Sequence, residues 1–339
     1  MTASRGRRAR RTHAPRLTIF NHKGGVGKTT LTLNIAAALS SLGRRVLLVD
    51  SDPQCNLTDY LVTDEVVDDL LDNSDKPSGG TLWSAVKPII ESTGDVKQIK
   101  AQEVSGLFVL PGDIRLSEFE QELSPMWADC FQRKQRGFTG TTALSRLIDR
   151  IASQHNIDFI FYDAGPNIGP LNRIILLDCD YFIIPAACDL FSIRAFKTLG
   201  HTLAGWIEEW STIFDLAPTN ARLLNGQPRF LGYVPNRFRT YEGKMARGYA
   251  KYAPRIERAI SGDIIAVLRR LEPELAPATP SRARLGEIRD FGTIATVSQS
   301  EGRPMKDVVS AGTPDQKRAA EDAFRDLAHN ILSGISSVA

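Results

Sequence analysis

The chain has 339 residues, 42% of them apolar and 24% charged, with a formal net charge of +3 at pH 7. That apolar share can bury a substantial core, the arginine-rich start lacks the apolar segment of a secretory signal, and no run approaches the roughly 18 apolar residues of a membrane span. The four cysteines, Cys55, Cys130, Cys179 and Cys188, have no C-x-x-C spacing, and a cytoplasmic protein with reduced thiols is expected.

The modest net charge hides an uneven distribution. Arg5, Arg7, Arg8, Arg10, Arg11 and Arg16 come before or at the first apolar run with no acid among them. Residues 1–15 read as a basic arm, either a solvated tail or an electrostatic hold on nucleic acid. Arg16 to Asn21 is a short buried strand. Lys28 to Leu42 follows, with Leu31, Leu33, Ile35, Ala36, Ala38 and Leu39 at helical intervals and Gly43 as the stop. Arg44 to Asp50 is an apolar run ending in a carboxylate, as for a parallel strand covered on both faces, so the unit is βαβ. Between Cys55 and Thr81 the chain turns acidic and reads as a solvated helix and loop. Gly106 to Pro111 is a strand, Thr141 to Ser153 a helix, and Phe159 to Asp163 a strand that again ends in a carboxylate. Tyr181 to Pro185 and Phe230 to Pro235 continue the alternation, and Pro273 to Pro280 reads as a connector. Strands interleaved with helices specify an α/β, doubly wound, mostly parallel sheet with helices on both faces.

The segment KGGVGKTT, Lys23 to Thr30, sits between the first strand and the first helix. Its glycines, Gly24, Gly25 and Gly27 about Val26, let backbone N–H groups turn towards phosphate oxygens, and the following helix offers its positive end. Lys28 supplies charge to the β- and γ-phosphates, Thr29 a hydroxyl to Mg²⁺, and Thr30 continues the phosphate-binding turn. The pattern G-x-x-x-x-G-K-[ST] is not met to the letter, because its first glycine falls on His22.

These residues resemble the deviant Walker A ATPases, which include ParA partition proteins, MinD and nitrogenase-type iron proteins. The resemblance implies a P-loop NTPase fold that binds ATP and Mg²⁺ and forms a homodimer with ATP, with Lys23 reaching phosphate on the other subunit. VDSDPQCNLT, Val49 to Thr58, is similar to the ParA segment in which Asp52 would position the attacking water and Asp50 would stand beside the metal; Cys55 replaces the family's usual glycine. FIFYDAGPNIG, Phe159 to Gly169, resembles the Walker B strand and proline turn, so Asp163 would accept from a Mg²⁺-bound water. GYVPNRF resembles the strand whose following asparagine, here Asn236, contacts adenine, and EGRPM, Glu301 to Met305, resembles a further family segment. The likeness runs from about Arg16 to the C-terminal helix, making 16–339 one ATPase domain with a variable insertion around 59–138.

Three branches of that family differ in what the switch touches. A redox iron protein needs cysteines from two subunits to hold a cluster between them, and no adjacent motif here supplies a convincing pair. A MinD-like membrane cycler needs an amphipathic basic tail, whereas Ala323 to Ala339 carries only Arg325. A ParA-like protein needs a nonspecific DNA surface. Arg237, Arg239, Lys244, Arg247, Lys251, Arg255 and Arg258, interleaved with Tyr241, Tyr249 and Tyr252, suit phosphate contacts; a solvated basic helix is the plainer reading. The expectation is a slow, partner-stimulated ATP hydrolase in partition or cargo positioning, nucleoid-associated if it binds DNA, with a ParB-like partner implied by the resemblance. The alternative is a ParA-like switch controlling a regulatory or defence partner.

Overall fold

In this computed structural model the described residues are 14–238, 240–241, 244–245 and 247–338, with side chains described for 14–236 and 251–337. The first half of the chain contributes β1 (Arg16–Ile19), α1 (Lys28–Ser41), β2 (Val46–Asp50), α2 (Asn56–Leu61), α3 (Asp64–Asp72), α4 (Leu82–Ile90), β3 (Gln102–Val104), β4 (Leu107–Leu110), α5 (Leu116–Phe131), α6 (Gln135–Thr141), α7 (Ala143–His155) and β5 (Phe159–Asp163). The second half adds α8 (Pro170–Asp178), β6 (Tyr181–Ala187), α9 (Leu190–Leu216), β7 (Arg229–Phe238), the short β8 (Thr240–Tyr241) and β9 (Lys244–Met245), and α10 (Arg247–Ala259). A π-helical stretch, Ile260–Ile265, leads into α11 (Ala266–Leu271), α12 (Pro280–Ala283), β10 (Ile288–Arg289), α13 (Thr293–Ser300) and α14 (Pro314–Val338).

Eight strands form one sheet in the order β10-β7-β6-β1-β5-β2-β4-β3, parallel throughout except for β3 against β4. The middle strands are apolar on both faces because both are covered. Leu47, Val49, Ile160, Tyr162, Phe182 and Ile184 pack under α4 to α9, while Leu17, Ile19, Val46, Leu48, Phe161 and Ile183 pack against α1, α2 and α14. The doubly wound expectation therefore holds, and it places the ends of β1, β2, β5 and β6 along one crevice, where such sheets bind ligands.

Three local readings need adjustment. The helix expected over Thr141 to Ser153 is the second of two, because the chain breaks at Thr142 (φ −102°, ψ 7°), whose hydroxyl bonds the Phe138 carbonyl at 2.6 Å. The connector after Leu271 contains a 3₁₀ turn, Pro273–Leu275, with Pro273 opening it. Arg16 does not belong with the basic arm. Its side chain is fully buried, paired with Asp178 and Asp149 and donating to Ser145 Oγ at 2.7 Å, while Tyr162 donates to Asp178 at 2.6 Å. A desolvated guanidinium so enclosed pins the start of β1 to α7 and α8, and it is unavailable to any external anion.

Candidate nucleotide site

The loop after β1 turns with Gly25 at φ 71° and Gly27 at φ 82°, in the left-handed region that side chains avoid. Gly27 caps α1 without any side-chain hydrogen bond, so the first-turn N–H groups of that helix face the loop's concavity with no capping side chain. A side chain added at Gly25 would project into open space, which leaves the mouth of the loop clear. Lys28 is the first residue of α1 and only 8% exposed. Burial lowers its pKa from the ordinary lysine value, opposed by the carboxylates of Asp163 and Asp52.

Pairing of β2 with β5 sets Asp50 directly opposite Asp163 at the strand ends. Thr29 Oγ1 donates to Asp163 Oδ2 at 2.7 Å, while Asp163 Oδ1 is buried with no hydrogen-bond partner. Asp50 is differently placed. Its Oδ2 accepts from Thr58 N at 2.8 Å and Thr58 Oγ1 at 2.6 Å, and that hydroxyl accepts from Gly112 N at 2.8 Å. Burial pushes Asp50 up to about 7 against the pull of the Thr58 bonds, and burial together with the Asp50 charge pushes Asp163 up to about 8. Two buried carboxyls facing each other are short of a positive charge, and the unclaimed Asp163 oxygen marks where it is lacking.

Asp52 stands just beyond, 5% exposed, with Oδ1 accepting from Gln54 N at 3.0 Å and Oδ2 within 3.5 Å of Asn56 Nδ2. A Cβ at Gly165 would come within 3.1 Å of Asp52 Oδ1, and one at Gly112 within 3.0 Å of the Asp50 carboxyl. Both glycines make room for an acid. Cys55 adopts φ 55°, a left-handed conformation that glycine takes more readily than a residue with a side chain. Asn167 Oδ1 accepts from Gly169 N at 3.0 Å and Asn172 Nδ2 at 2.7 Å, which fixes the turn after β5.

Lys23 lies on the other side of the loop. Its ammonium pairs with Asp189 and reaches Ser192 Oγ at 3.1 Å. Asn236, near the end of β7, donates to the Val26 carbonyl at 2.8 Å and so ties β7 to the glycine-rich loop. A small cavity of about 30 Å³ opens there between Gly27, Thr30, Asn236, Arg289, Phe291 and Met305, and the Arg289 guanidinium sits 5.1 Å from the Phe291 ring centroid. Thr58 and Gly165 fall inside the family-like segments but with no role of their own, and Gly112, Arg289 and Phe291 carry no pattern that sequence reading alone would single out. Asp189 does, since an aspartate immediately ahead of a long apolar helix is an N-cap signal.

The wall of that cavity depends on a clasp. Glu301 accepts from Val309 N and Ser310 N, each at 2.7 Å, and Met305 N donates to Asn34 Oδ1 of α1 at 2.9 Å. The Ser310 and Val309 bonds hold the Glu301 carboxyl down at about 2 from an ordinary 4.5. A depressed carboxylate stabilises the folded loop above its unfolded pKa and loses that contribution as pH falls through the folded one. Amide exchange protection at Val309 and Ser310 is therefore expected to hold down to about pH 4.5 and to fade towards pH 2. Glu301→Gln should abolish this dependence.

Among the basic candidates, Lys251, Arg255 and Arg258 are exposed on one face of α10, with Lys251 Nζ 5.6 Å and Arg255 Cζ 6.0 Å from the Tyr252 ring centroid. The side chains of Arg237, Lys244 and Arg247, the whole of Arg239, and residues 1–13 of the arm lie outside the described residues. No described helix is long and apolar enough to cross a membrane.

A family model described as an AAA domain (AAA_31) matches residues 15–215, a span that takes in the phosphate loop, both carboxylate strands and Asp189. The chain belongs to the ParA/MinD family of P-loop ATPases. Within it, the chain is 32% identical over 188 residues to the sporulation initiation inhibitor protein Soj of Bacillus subtilis, covering 55% of this chain and 64% of Soj. It is 33% identical over 202 residues to the chromosome partitioning protein ParA of Myxococcus xanthus, covering 59% of this chain and 61% of that one. The matches thus span less than two-thirds of each relative. Among solved structures, protein DIP2308 of Corynebacterium diphtheriae superposes with a TM-score of 0.70 at 25% identity, over 95% of this chain and 98% of that one. The pNOB8 ParA bound to nonspecific DNA superposes with a TM-score of 0.58 at 19% identity, over 96% and 99%, a likeness of fold.

Proposed function

We propose that this ParA-like protein is an ATPase that dimerises on Mg-ATP, holds DNA without sequence preference in that state and is reset by hydrolysis, serving replicon partition or cargo positioning. The observation that carries the nucleotide assignment is the orphaned Asp163 oxygen beside Thr29, at the foot of an uncapped helix with Lys28 buried next to it. The donor set fits Mg²⁺, a hard cation that takes oxygen ligands and keeps several waters. Thr29 would supply the hydroxyl ligand and Asp163 would hold a metal-bound water, with Asp50 adding charge from behind its Thr58 brace. When bound, the metal would neutralise charge on the nucleotide phosphates. Lys28 and the α1 N-terminus would hold those phosphates, Asn236 would contact the base, and Asp52 would orient the attacking water.

DNA enters through the exposed cations of α10 and through relatives named for chromosome partitioning. A dimer presents that face twice, whereas a monomer offers half the contacts and binds far more weakly. The reset would depend on a second protein that stimulates hydrolysis, ParB-like in the family. The test is DNA binding against salt with and without ATP. Each phosphate contact should add about 0.9 to the negative slope of log affinity against log salt, so Lys251→Ala with Arg255→Ala, which removes these cations from both subunits of a dimer, should flatten the slope by up to about 3.6 on unrelated duplexes. Deleting the arm, residues 1–15, is the comparison. Binding that vanishes with the arm yet survives the double substitution would move the contact to the arm. ATP-loaded protein that binds no DNA at low salt in any form would favour a switch acting on a different partner.

A further inference from the structure

The short helix α2, which follows the Asp52 turn, is tied at both ends. Asn56 Nδ2, at its start, lies within 3.5 Å of Asp52 Oδ2, and Thr58 donates to Asp50. Tyr60, two residues on, is buried with its hydroxyl 2.6 Å from the buried Ser298 Oγ of α13, and Ser298 Oγ donates to the Arg303 carbonyl at 2.6 Å. A serine hydroxyl has one proton and a carbonyl can only accept it, so Tyr60 is the other donor and the chain runs one way, from Tyr60 through Ser298 to Arg303. Burial raises the Tyr60 phenol above its ordinary value against the pull of Ser298, which keeps the proton on the donor. Two residues past Arg303, Met305 N donates to Asn34 Oδ1 of α1, and Asn34 Nδ2 donates to the Thr30 carbonyl at 2.8 Å. Gly302, at φ 64°, lets this loop close on α2, because a Cβ there would come within 2.9 Å of the Tyr60 carbonyl oxygen.

We infer that the loop after α13 is a strap between α1 and α2, and that Tyr60 and Ser298 are positioning residues for ATP hydrolysis. One anchor of the strap is Asn34, on the helix that begins with Lys28 and Thr29; the other is Tyr60, on the helix whose Asn56 and Thr58 meet Asp52 and Asp50. The strap therefore fixes the spacing between the residues that would hold the phosphates and the acid that would orient the water. The inference rests on that reading of Asp52. A hydrogen bond holds its partners to within a few tenths of an ångström, so a buried hydroxyl chain sets this spacing more narrowly than an apolar contact between the same elements. Cutting the chain frees α2 from the strap, while α1 keeps its own anchors in Leu31, Leu33, Ile35 and Leu39. The phosphates still bind, and the water is misplaced. A misplacement of about 1 Å in a reacting geometry can cost roughly a hundredfold in rate.

Tyr60→Phe removes one oxygen and keeps the ring, and Ser298→Ala removes its acceptor. Single-turnover hydrolysis of labelled ATP, and ATP affinity by equilibrium dialysis, are measured for the parent, each variant and the double variant. Either substitution should slow hydrolysis about tenfold with affinity within about threefold of the parent, and the double variant should be no slower than the slower single, because one break severs the chain. Hydrogen exchange on the nucleotide-free chains gives a readout that does not pass through hydrolysis. Tyr60→Phe should speed exchange at the amides of Thr58 and Met305 together, which lie at the two anchors of the strap. Hydrolysis at the parent rate in both single variants, affinity lost in step with rate, or losses that multiply in the double variant would overturn the inference. If Asp52→Ala hydrolyses ATP like the parent, the reading of Asp52 fails instead. The exchange arm then decides the strap alone: faster exchange at both amides supports it, and a change at only one of them, or at neither, removes it.

Discussion

Lys28→Ala is expected to abolish ATP binding. The parent site holds one buried ammonium against Asp163 and Asp52, with Asp50 behind them. Removing that cation leaves a polyphosphate to approach buried carboxyls with only backbone N–H groups to offset the repulsion. Truncating one partner of a buried, charge-assisted contact typically costs about 2–5 kcal/mol, equivalent to roughly thirtyfold to several thousandfold in affinity. The measurement is equilibrium dialysis with labelled ATP and Mg²⁺ at a protein concentration well above the parent dissociation constant. Thermal melting of the unliganded variant separates a lost site from a lost fold, since α1 is anchored by Leu31, Leu33, Ile35 and Leu39 rather than by Lys28. Affinity within about threefold of the parent, in a variant that melts normally, would remove the phosphate loop from its assigned role.

The fold was legible where sequence and environment impose the same demand. Val46 to Asp50 and Phe159 to Asp163 are unbroken apolar runs because each strand is buried on both faces, and both end in an acid because the strands point their C-terminal ends at the crevice. The phosphate loop was legible because a glycine-rich turn between strand and helix has few other uses. What stayed hidden depends on contacts between distant residues. Nothing in Thr58 announces that it braces Asp50, or in Gly165 that a methyl group there would crowd Asp52. Arg16 was legible only in part for the same reason. Its place at the head of a buried strand could be read, but only the folding of Asp178 and Asp149 around its guanidinium makes the side chain part of the core. The edge strand β3, Gln102–Val104, is short, polar and half-exposed, so it lacks the apolar run that betrays the central strands.

Asp52 and Lys23 provide the sharper test of how the site works, because alanine at each should stop the cycle at a different stage. Asp52→Ala leaves Lys28, Thr29, Asp163 and the α1 N-terminus in place, so ATP still binds. What is lost is a carboxylate held at a fixed height above the loop by the Gln54 amide and by the side-chain-free Gly165. Positioned acid–base groups contribute about 10²–10⁴ in rate, and steady-state hydrolysis should fall by at least about a hundredfold. ATP-bound dimer should then accumulate, because its only exit is hydrolysis. Lys23→Ala should bind ATP with near-parent affinity, since the lysine faces Asp189 rather than its own subunit's Lys28 and Thr29, and should remain monomeric at ATP concentrations that saturate the parent. Sedimentation velocity of the two variants, with and without ATP, reads this contrast directly. A monomeric Asp52→Ala with bound ATP would mean that Asp52 acts in assembly rather than in water orientation. A Lys23→Ala that dimerises normally would confine Lys23 to its own subunit and remove the reason for nucleotide to control association at all.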